Sequence, residues 1–484
     1  MLNVLFITVD QFRGDCLSSA GHPVVRTPGL DELAGHGVRF DRHASQAAPC
    51  GPGRACLYTG TYQMNNRVVG NGTPLDHRFD NIARVARRAG YRPVLFGYTD
   101  QAIDPRTADG PEDPRLQTYQ GVLPGFDAPL ELGDEQEAWR AWLAELGYGE
   151  FRDGDHALAT EPERPVEHGV STFLTDRLLA WLRRQDGPWF VHASFWRPHH
   201  PYAAAGHWST AYDPDEVGDP LPRPSWPIPP CGNLAAPVDA LDAAAVRRIR
   251  AQYLGMVSDV DAQLGRLWSE LRELGAWDDT LVIVTADHGE QLGDQGQLGK
   301  GGLFPASYHV PCIVRDPRQS GSHGTVVRAR TENVDLLATL CEALGLDVPV
   351  QSDGLSLMPF VRGEEPPWWR TEHHWEYDWR WERILFGPYP WPWDRRLESM
   401  NLAVLAADRW AYVQFAGGES ICLDLAADPT WGTTSDDVTL ALAGAQAMLS
   451  WRAKHTDRTF TDMLVYDGGV GRVPEVEPFG AAGS

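Results

Sequence analysis

The apolar positions of this chain fall in short unbroken runs rather than in strict alternation. Residues 3–9 are apolar almost throughout and stop at Asp10. "RPVLFGYTD" (92–100), "WFVHASFW" (189–196), "TLVIVTADHGE" (280–290) and "HVPCIVRD" (309–316) repeat the pattern. Such runs predict strands buried on both faces, as in parallel sheets. Helical periodicity lies between them. Thr27-Pro28 predicts an N-cap and first-turn proline for a short helix through Leu33. Residues 79–89 place Ile82, Val85 and Ala89 on one face and stop at Gly90. Further helices are predicted near 134–146, over 171–184, and as one or two long segments over 242–274. The rest of 101–169 and 213–238 is rich in Pro, Gly and Asp and reads as loop. Strands alternating with helices predict an α/β fold: a large, mostly parallel sheet sandwiched by helices.

The texture changes near residue 365. Seven of the 19 tryptophans lie between 368 and 393, and they read as core or subunit interface. "NLAVLAADRWAYVQF" (401–415) and "SICLDLAADP" (420–429) predict a short antiparallel hairpin. The expected organisation is a catalytic α/β domain over 1–365 and a smaller α+β domain over 366–484, a division that suits 484 residues.

Charge narrows the function. With 42 basic and 66 acidic residues the net charge is −24, which disfavours nucleic acid and anionic membrane surfaces. No apolar run is long enough to span a bilayer, and "LNVLFITV" lacks a basic leader. Seven scattered cysteines, an odd number, read as reduced thiols, so a cytoplasmic protein is expected.

The chemistry gathers at strand ends. Asp10 is followed by Gln11, and Asp287 by His288. In open α/β sheets ligands sit beyond the C-terminal ends of the strands. These oxygens and one imidazole suit a divalent cation such as Mn²⁺ or Ca²⁺; alone, each aspartate also serves as a turn cap. Cys50 stands where a helix is predicted to start, in a C-x-P-x-R pattern with Arg54. A phosphatase loop needs five residues between cysteine and arginine, and a zinc site needs a second cysteine pair; neither fits. A buried inert thiol is the plain alternative.

The pattern "PCGPGRA" resembles the signature of the sulfatases. "VDQFRGD", "NGTPLD", "FGYTD", "FWRPHHPY", "TADHGEQLGD" and "LGK" follow in the order of the alkaline-phosphatase/sulfatase superfamily. Within it the chain resembles the phosphonate monoester hydrolases. Gln11 stands where common sulfatases carry a second aspartate, and His288 where they carry asparagine. "RTEHHWEYDWR" (370–380) and "LSWRAKHTDRTFT" (449–461) add to this likeness. The resemblance implies that a formylglycine-generating enzyme oxidises Cys50 to formylglycine. Its hydrate would attack sulfur or phosphorus through one hydroxyl, and the other would later help expel the product. Asp10, the modified Cys50, Asp287 and His288 would hold one divalent metal ion, and Arg54 would orient the diol. Gln11, Asn71, Tyr98, His199 and Lys300 would contact the transferred group, with His199 or a neighbour protonating the leaving oxygen. A homo-oligomer, a tetramer in form, is also implied.

Three residues stand out. Only two of the 42 basic residues are lysine, Lys300 and Lys454, and a compact ammonium fits between metal and substrate oxygens where a guanidinium clashes. Of the adjacent His199 and His200, only one is expected to point into a pocket from a strand end, and the family pattern selects His199; His192 reads as a sheet histidine. Asp100 departs from the hydroxyl residue expected in close relatives. Its carboxylate would repel an anionic substrate or bind a cationic leaving group. Gly53 is a milder departure, where the motif more often has Ser or Ala.

The expected enzyme cleaves small anionic esters: phosphonate monoesters and phosphate diesters, with sulfate esters as side substrates. An arylsulfatase is the first alternative. A non-catalytic binding protein with an unmodified cysteine is the second. A phosphotransferase would use Ser or Thr at position 50.

Overall fold

The computed structural model describes residues 1–228, 241–380, 395–459, 461, 463–466 and 469–472. Cys231, Trp381, Trp391 and Trp393 lie outside them. The first apolar run forms β1 (Asn3–Val9), paired on both edges. Around it run β2 (Val38–Ala44), β4 (Val94–Gly97), β5 (Asp127–Glu131), β6 (Phe190–Phe195), β7 (Thr280–Thr285), β8 (Cys312–Arg315) and β9 (Thr325–Glu332). Their order is β5-β4-β6-β1-β7-β8-β2-β9. All neighbours are parallel except the two pairs made by β8.

Burial on both faces explains the unbroken apolar runs. Along β1, Leu5, Ile7 and Val9 enter one core and Val4 and Phe6 the other. The helices Val170–Leu182 and Ala243–Glu273 cover the first face, and Cys50–Thr59, Ile82–Arg88 and Asp335–Leu344 cover the second. Each fully buried Leu, Ile or Phe here contributes roughly 1.5–3 kcal/mol of transfer free energy.

The helix at Pro28–Gly35 forms where expected, but not by the expected cap. Thr27 makes no side-chain cap; its Oγ1 accepts from Ser18 N at 2.9 Å. The orphan N–H groups of Gly29 and Leu30 donate instead to Asp261, at 2.9 and 2.7 Å. A residue of the long helix thus fixes the short one.

The second sheet runs β13-β12-β11-β10-β3. β10 (His373–Asp378), β11 (Asn401–Ala406), β12 (Trp410–Phe415) and β13 (Ser420–Asp424) form an antiparallel meander rather than a hairpin: 401–415, expected as one arm, is two strands, and β10 adds a fourth. β3 (Ala47–Ala48) joins it in parallel, with Tyr377 opposite Ala48. This sheet is therefore tied to the backbone two residues before Cys50. Trp375 and Trp379 are buried in its core with Phe304, Tyr308 and Trp431, whereas Trp368 is 65% exposed. The helix Val438–Lys454 packs over it through Met448, against Leu405 and Tyr412. A small ribbon, β14 (Met463–Tyr466) and β15 (Gly469–Arg472), follows. Among the described residues no helix is long and apolar enough to cross a membrane.

Candidate active site

β1 and β7 are parallel neighbours, so the residues that follow them emerge side by side. Asp10 and Asp287 are both fully buried there. Gln11 takes a left-handed backbone, φ 64°, and its N–H donates to Asp287 Oδ1 at 3.1 Å. The helix Cys50–Thr59 starts at the same place, with Pro49 as N-cap. Its Gly53 meets the end of β7: a β-carbon there would lie 2.7 Å from the Asp287 carbonyl oxygen. The departure at this position thus lets the helix sit close to the second carboxylate.

Arg54 holds the two acids together. Its Nη2 donates to Asp10 Oδ2 at 3.0 Å and its Nε to Asp287 Oδ2 at 2.9 Å. Nη1 reaches Ser194 Oγ at 2.8 Å, with Tyr58 OH and the Tyr98 carbonyl at 3.1 Å. The guanidinium lies over the Tyr98 ring, 4.1 Å from its centroid. Tyr98 OH in turn donates to Asp10 Oδ2. Gly97 lets the end of β4 lie close against β6. It has φ 111°, and a β-carbon would lie 2.0 Å from the Ser194 carbonyl oxygen.

Cys50 Sγ is the hub. It lies 3.8 Å from Asp10 Oδ1, 3.3 Å from His288 Nε2 and 3.1 Å from Lys300 Nζ. His288 donates from Nδ1 to the Gly289 carbonyl at 2.9 Å, which leaves Nε2 as a lone-pair donor toward the hub. Asp10, Cys50, Asp287 and His288 each offer one ligand atom, and the four atoms lie within 4.8 Å of one another. Burial raises the Cys50 thiol well above its ordinary pKa, helped by Asp10. An unmodified thiol here is protonated and a weak nucleophile.

The two carboxylates are pushed in opposite directions. Burial works against Asp10, but His199, Lys300, His288 and Arg54 hold it well below the usual carboxylate range. Burial and the Asp10 charge push Asp287 up to about 8. The donor set of two carboxylates and one imidazole beside residue 50 fits a divalent metal ion.

Lys300 is buried, and its Nζ donates to Gln11 Oε1 at 2.9 Å. Burial works against its charge, but the acidic groups around it, Asp10 among them, raise its pKa above the ordinary lysine value. Gln11 is oriented from the other side. Its Nε2 donates to Glu290 Oε2 at 2.5 Å, while Glu290 Oε1 accepts from Gly299 N at 2.6 Å and Leu292 N at 3.0 Å.

Asn71, Tyr98, Asp100, His199 and Lys300 line one cavity of about 410 Å³ with Cys50. Asn71 Oδ1 accepts from Gly51 N at 2.8 Å, so the amide is fixed against the helix start. The structure thus brings all eleven sequence-derived site residues into one network or onto its cavity wall. One expectation is overturned: His199 and His200 both line the cavity. They stand in the turn after β6, where strand alternation no longer applies, and their rings stack at 4.0 Å. His192 is a sheet histidine as expected, bonded to the Phe6 carbonyl at 3.1 Å and to Tyr58 OH at 3.0 Å.

Sequence reasoning assigned no role to Glu290, Ser194 or Tyr58, nor to the acidic residues Asp134, Glu135, Asp153 and Asp155 of the cavity wall. Glu290 lies inside the quoted "TADHGEQLGD", which was the available signal. The others carry no motif.

The sulfatase family model matches residues 2–346. The chain belongs to the sulfatase family. Within that family it is 35% identical to the multifunctional alkaline phosphatase superfamily protein PehA of Trinickia caryophylli, over 95% of this chain and 96% of that one. The crystal structure of the phosphonate monoester hydrolase of Agrobacterium radiobacter superposes with a TM-score of 0.89 at 39% identity, covering 98% and 100% of the two chains. The phosphonate monoester hydrolase SpPMH of Silicibacter pomeroyi gives 0.86 at 34%, covering 98% and 99%. The resemblance to phosphonate monoester hydrolases and the sandwiched, mostly parallel sheet are both borne out. Membership of the sulfatase family implies a divalent metal and formylglycine made from cysteine, here Cys50.

Proposed function

We propose that this sulfatase-family protein hydrolyses phosphonate monoesters and phosphate diesters, with slower cleavage of sulfate esters, using formylglycine at position 50. The observation that carries the reading is the Cys50 hub. One buried side chain at a helix start is within reach of two carboxylates, an imidazole and the buried ammonium of Lys300. Cys50 Sγ marks the position where formylglycine would carry its oxygen.

Asp10, Asp287, His288 and residue 50 would hold the divalent ion. When bound, the ion and the formylglycine hydrate supply an ionised oxygen nucleophile near neutral pH. This chain's own residues do the rest. Arg54 fixes both carboxylates and cannot release a proton to them. Lys300, oriented through Gln11 and Glu290, places a positive charge at the reacting oxygens. Asn71 and the helix start add dipoles of the same sense. His199 donates Nδ1–H to the His200 carbonyl at 2.8 Å, leaving Nε2 for the leaving oxygen. Burial, then His200 and Lys300, hold its pKa well down; an arriving anionic ester raises it again. One dication and a few cations match a monoanionic ester, whereas a dianionic monoester usually uses two metals. A cytoplasmic setting, maturation by a formylglycine-generating enzyme and a homo-oligomeric state belong to the same proposal.

Removal of the metal tests the ligand set. Chelation is expected to abolish hydrolysis of an aryl phosphonate monoester and to lower Tm, because a ligand that would bind only the folded site is withdrawn. Mn²⁺ or Ca²⁺ should restore both. Full activity and an unchanged Tm after exhaustive chelation would remove the metal from the proposal.

A further inference from the structure

Asp100 follows β4 and lines the cavity beside Cys50, yet no protein donor reaches either of its carboxyl oxygens. It is only 2% exposed and holds a left-handed backbone, φ 51°. A buried carboxyl without partners is costly, and nothing in the catalytic network uses it. Burial pushes it up to about 7, opposed by Arg54 and reinforced by Asp134 and Asp10. Its negative charge is also felt at Cys50, where it disfavours an anion.

The wall beside it has the same sign. Asp134, Glu135, Asp153 and Asp155 line this cavity with Asp100. Asp134 is held in place by Gln120 Nε2 at 2.6 Å and by Tyr119 OH. Lys300 is the one Lys or Arg on the described cavity wall, and it sits at the Cys50 end. Trp196 lines the same space. The cavity is thus bipolar, cationic at the hub and acidic with an aromatic face beyond it. A purely anionic ester meets the first region favourably and the second unfavourably.

We infer that the preferred substrate is zwitterionic: anionic at phosphorus or sulfur, with an alcohol half whose ammonium group seats against Asp100. This rests on the hydrolytic reading above and names the leaving-group class that reading left open. An ammonium would give the unpartnered oxygens the donor they lack, in a charge-assisted bond. The acidic wall and the Trp196 face would add to its attraction.

Two aryl phosphonate monoesters test this, identical except for an aminomethyl or a hydroxymethyl group on the leaving phenol. Both are given to the metal-loaded full-length enzyme, wild type and Asp100→Asn, and kcat/KM is measured. The wild type should favour the aminomethyl ester by roughly tenfold or more, the worth of one hydrogen bond between charged groups. Asp100→Asn should collapse that ratio toward one, and differences in leaving-group reactivity cancel between the two proteins. Asp100→Thr repeats the test if thermal melting shows that the amide variant does not fold. A wild-type ratio near one, or a ratio that survives both substitutions, overturns the inference and leaves the hydrolytic function standing. Hydrolysis of neither ester by the wild type instead removes that function, and the inference with it.

Discussion

Cys50→Ala should lower kcat/KM for an aryl phosphonate monoester by about 10⁴-fold or more, the scale of removing a nucleophile from an intact site, while Tm stays close to that of the unmodified protein. The side chain is small and buried at the start of its helix, so alanine leaves little void. Arg54 still bridges Asp10 and Asp287 in the variant, so the carboxylate pair keeps its main support. Cys50→Ser is the sharper control. A serine hydroxyl can attack once, but it cannot expel the bound group as an aldehyde hydrate does. A single burst followed by a stalled covalent adduct is therefore expected. Peptide mass at position 50 must show conversion of the thiol to an aldehyde in active wild-type preparations. Normal turnover by Cys50→Ala would end the formylglycine reading.

Lys300→Ala should reduce kcat/KM by roughly 10²-fold or more, the loss that follows from deleting one preorganised charge at a transition state. Two features make the effect large. The ammonium is buried, so solvent screens it little, and it is already held at the hub by Gln11 Oε1 and Cys50 Sγ. Lys300→Arg should not rescue the rate, because the planar guanidinium needs room beside Gln11 and position 50 that the buried site does not offer. A near wild-type kcat/KM in Lys300→Ala would place the ammonium outside the reaction.

The site was legible because its main parts end apolar runs. Asp10 and Asp287 announce themselves as the first charges after buried strands, and pairing of β1 with β7 makes them neighbours. Cys50 and Arg54 are one helical turn apart, so their proximity follows from local geometry. Lys300 was visible through its rarity. The edge of the large sheet was less legible. β2 and β9 carry Arg39, Asp41 and Arg42, and Arg328 and Arg330, within their spans. These charges find partners within the strand or beyond the sheet: Arg39 pairs with Asp41 of the same strand at 2.6 Å, and Arg42 and Arg330 both reach Asp408, at 2.6 and 2.7 Å, so the spans do not read as apolar runs. The direction of β8 was hidden for a similar reason: an apolar run gives no orientation.

The acidic wall could not be read from the chain. Asp153 and Asp155 come from a segment whose Pro, Gly and Asp content reads as loop, and Asp134 from the start of the helix predicted near 134–146, with no motif around them. They meet Asp100 because β5 pairs with β4 and brings that segment to the cavity. The joint lining by His199 and His200 is not legible in the chain because strand alternation ends with β6 at Phe195. In both cases the deciding contacts are long-range.

The most direct test of the whole account is kcat/KM for an aryl phosphonate monoester and for the matching aryl sulfate, on one Mn²⁺-loaded preparation. A clear preference for the phosphonate is the predicted result. A clear preference for the sulfate would keep the roles of Cys50, Arg54 and Lys300 but contradict the assignment of phosphonate monoesters as the main substrates.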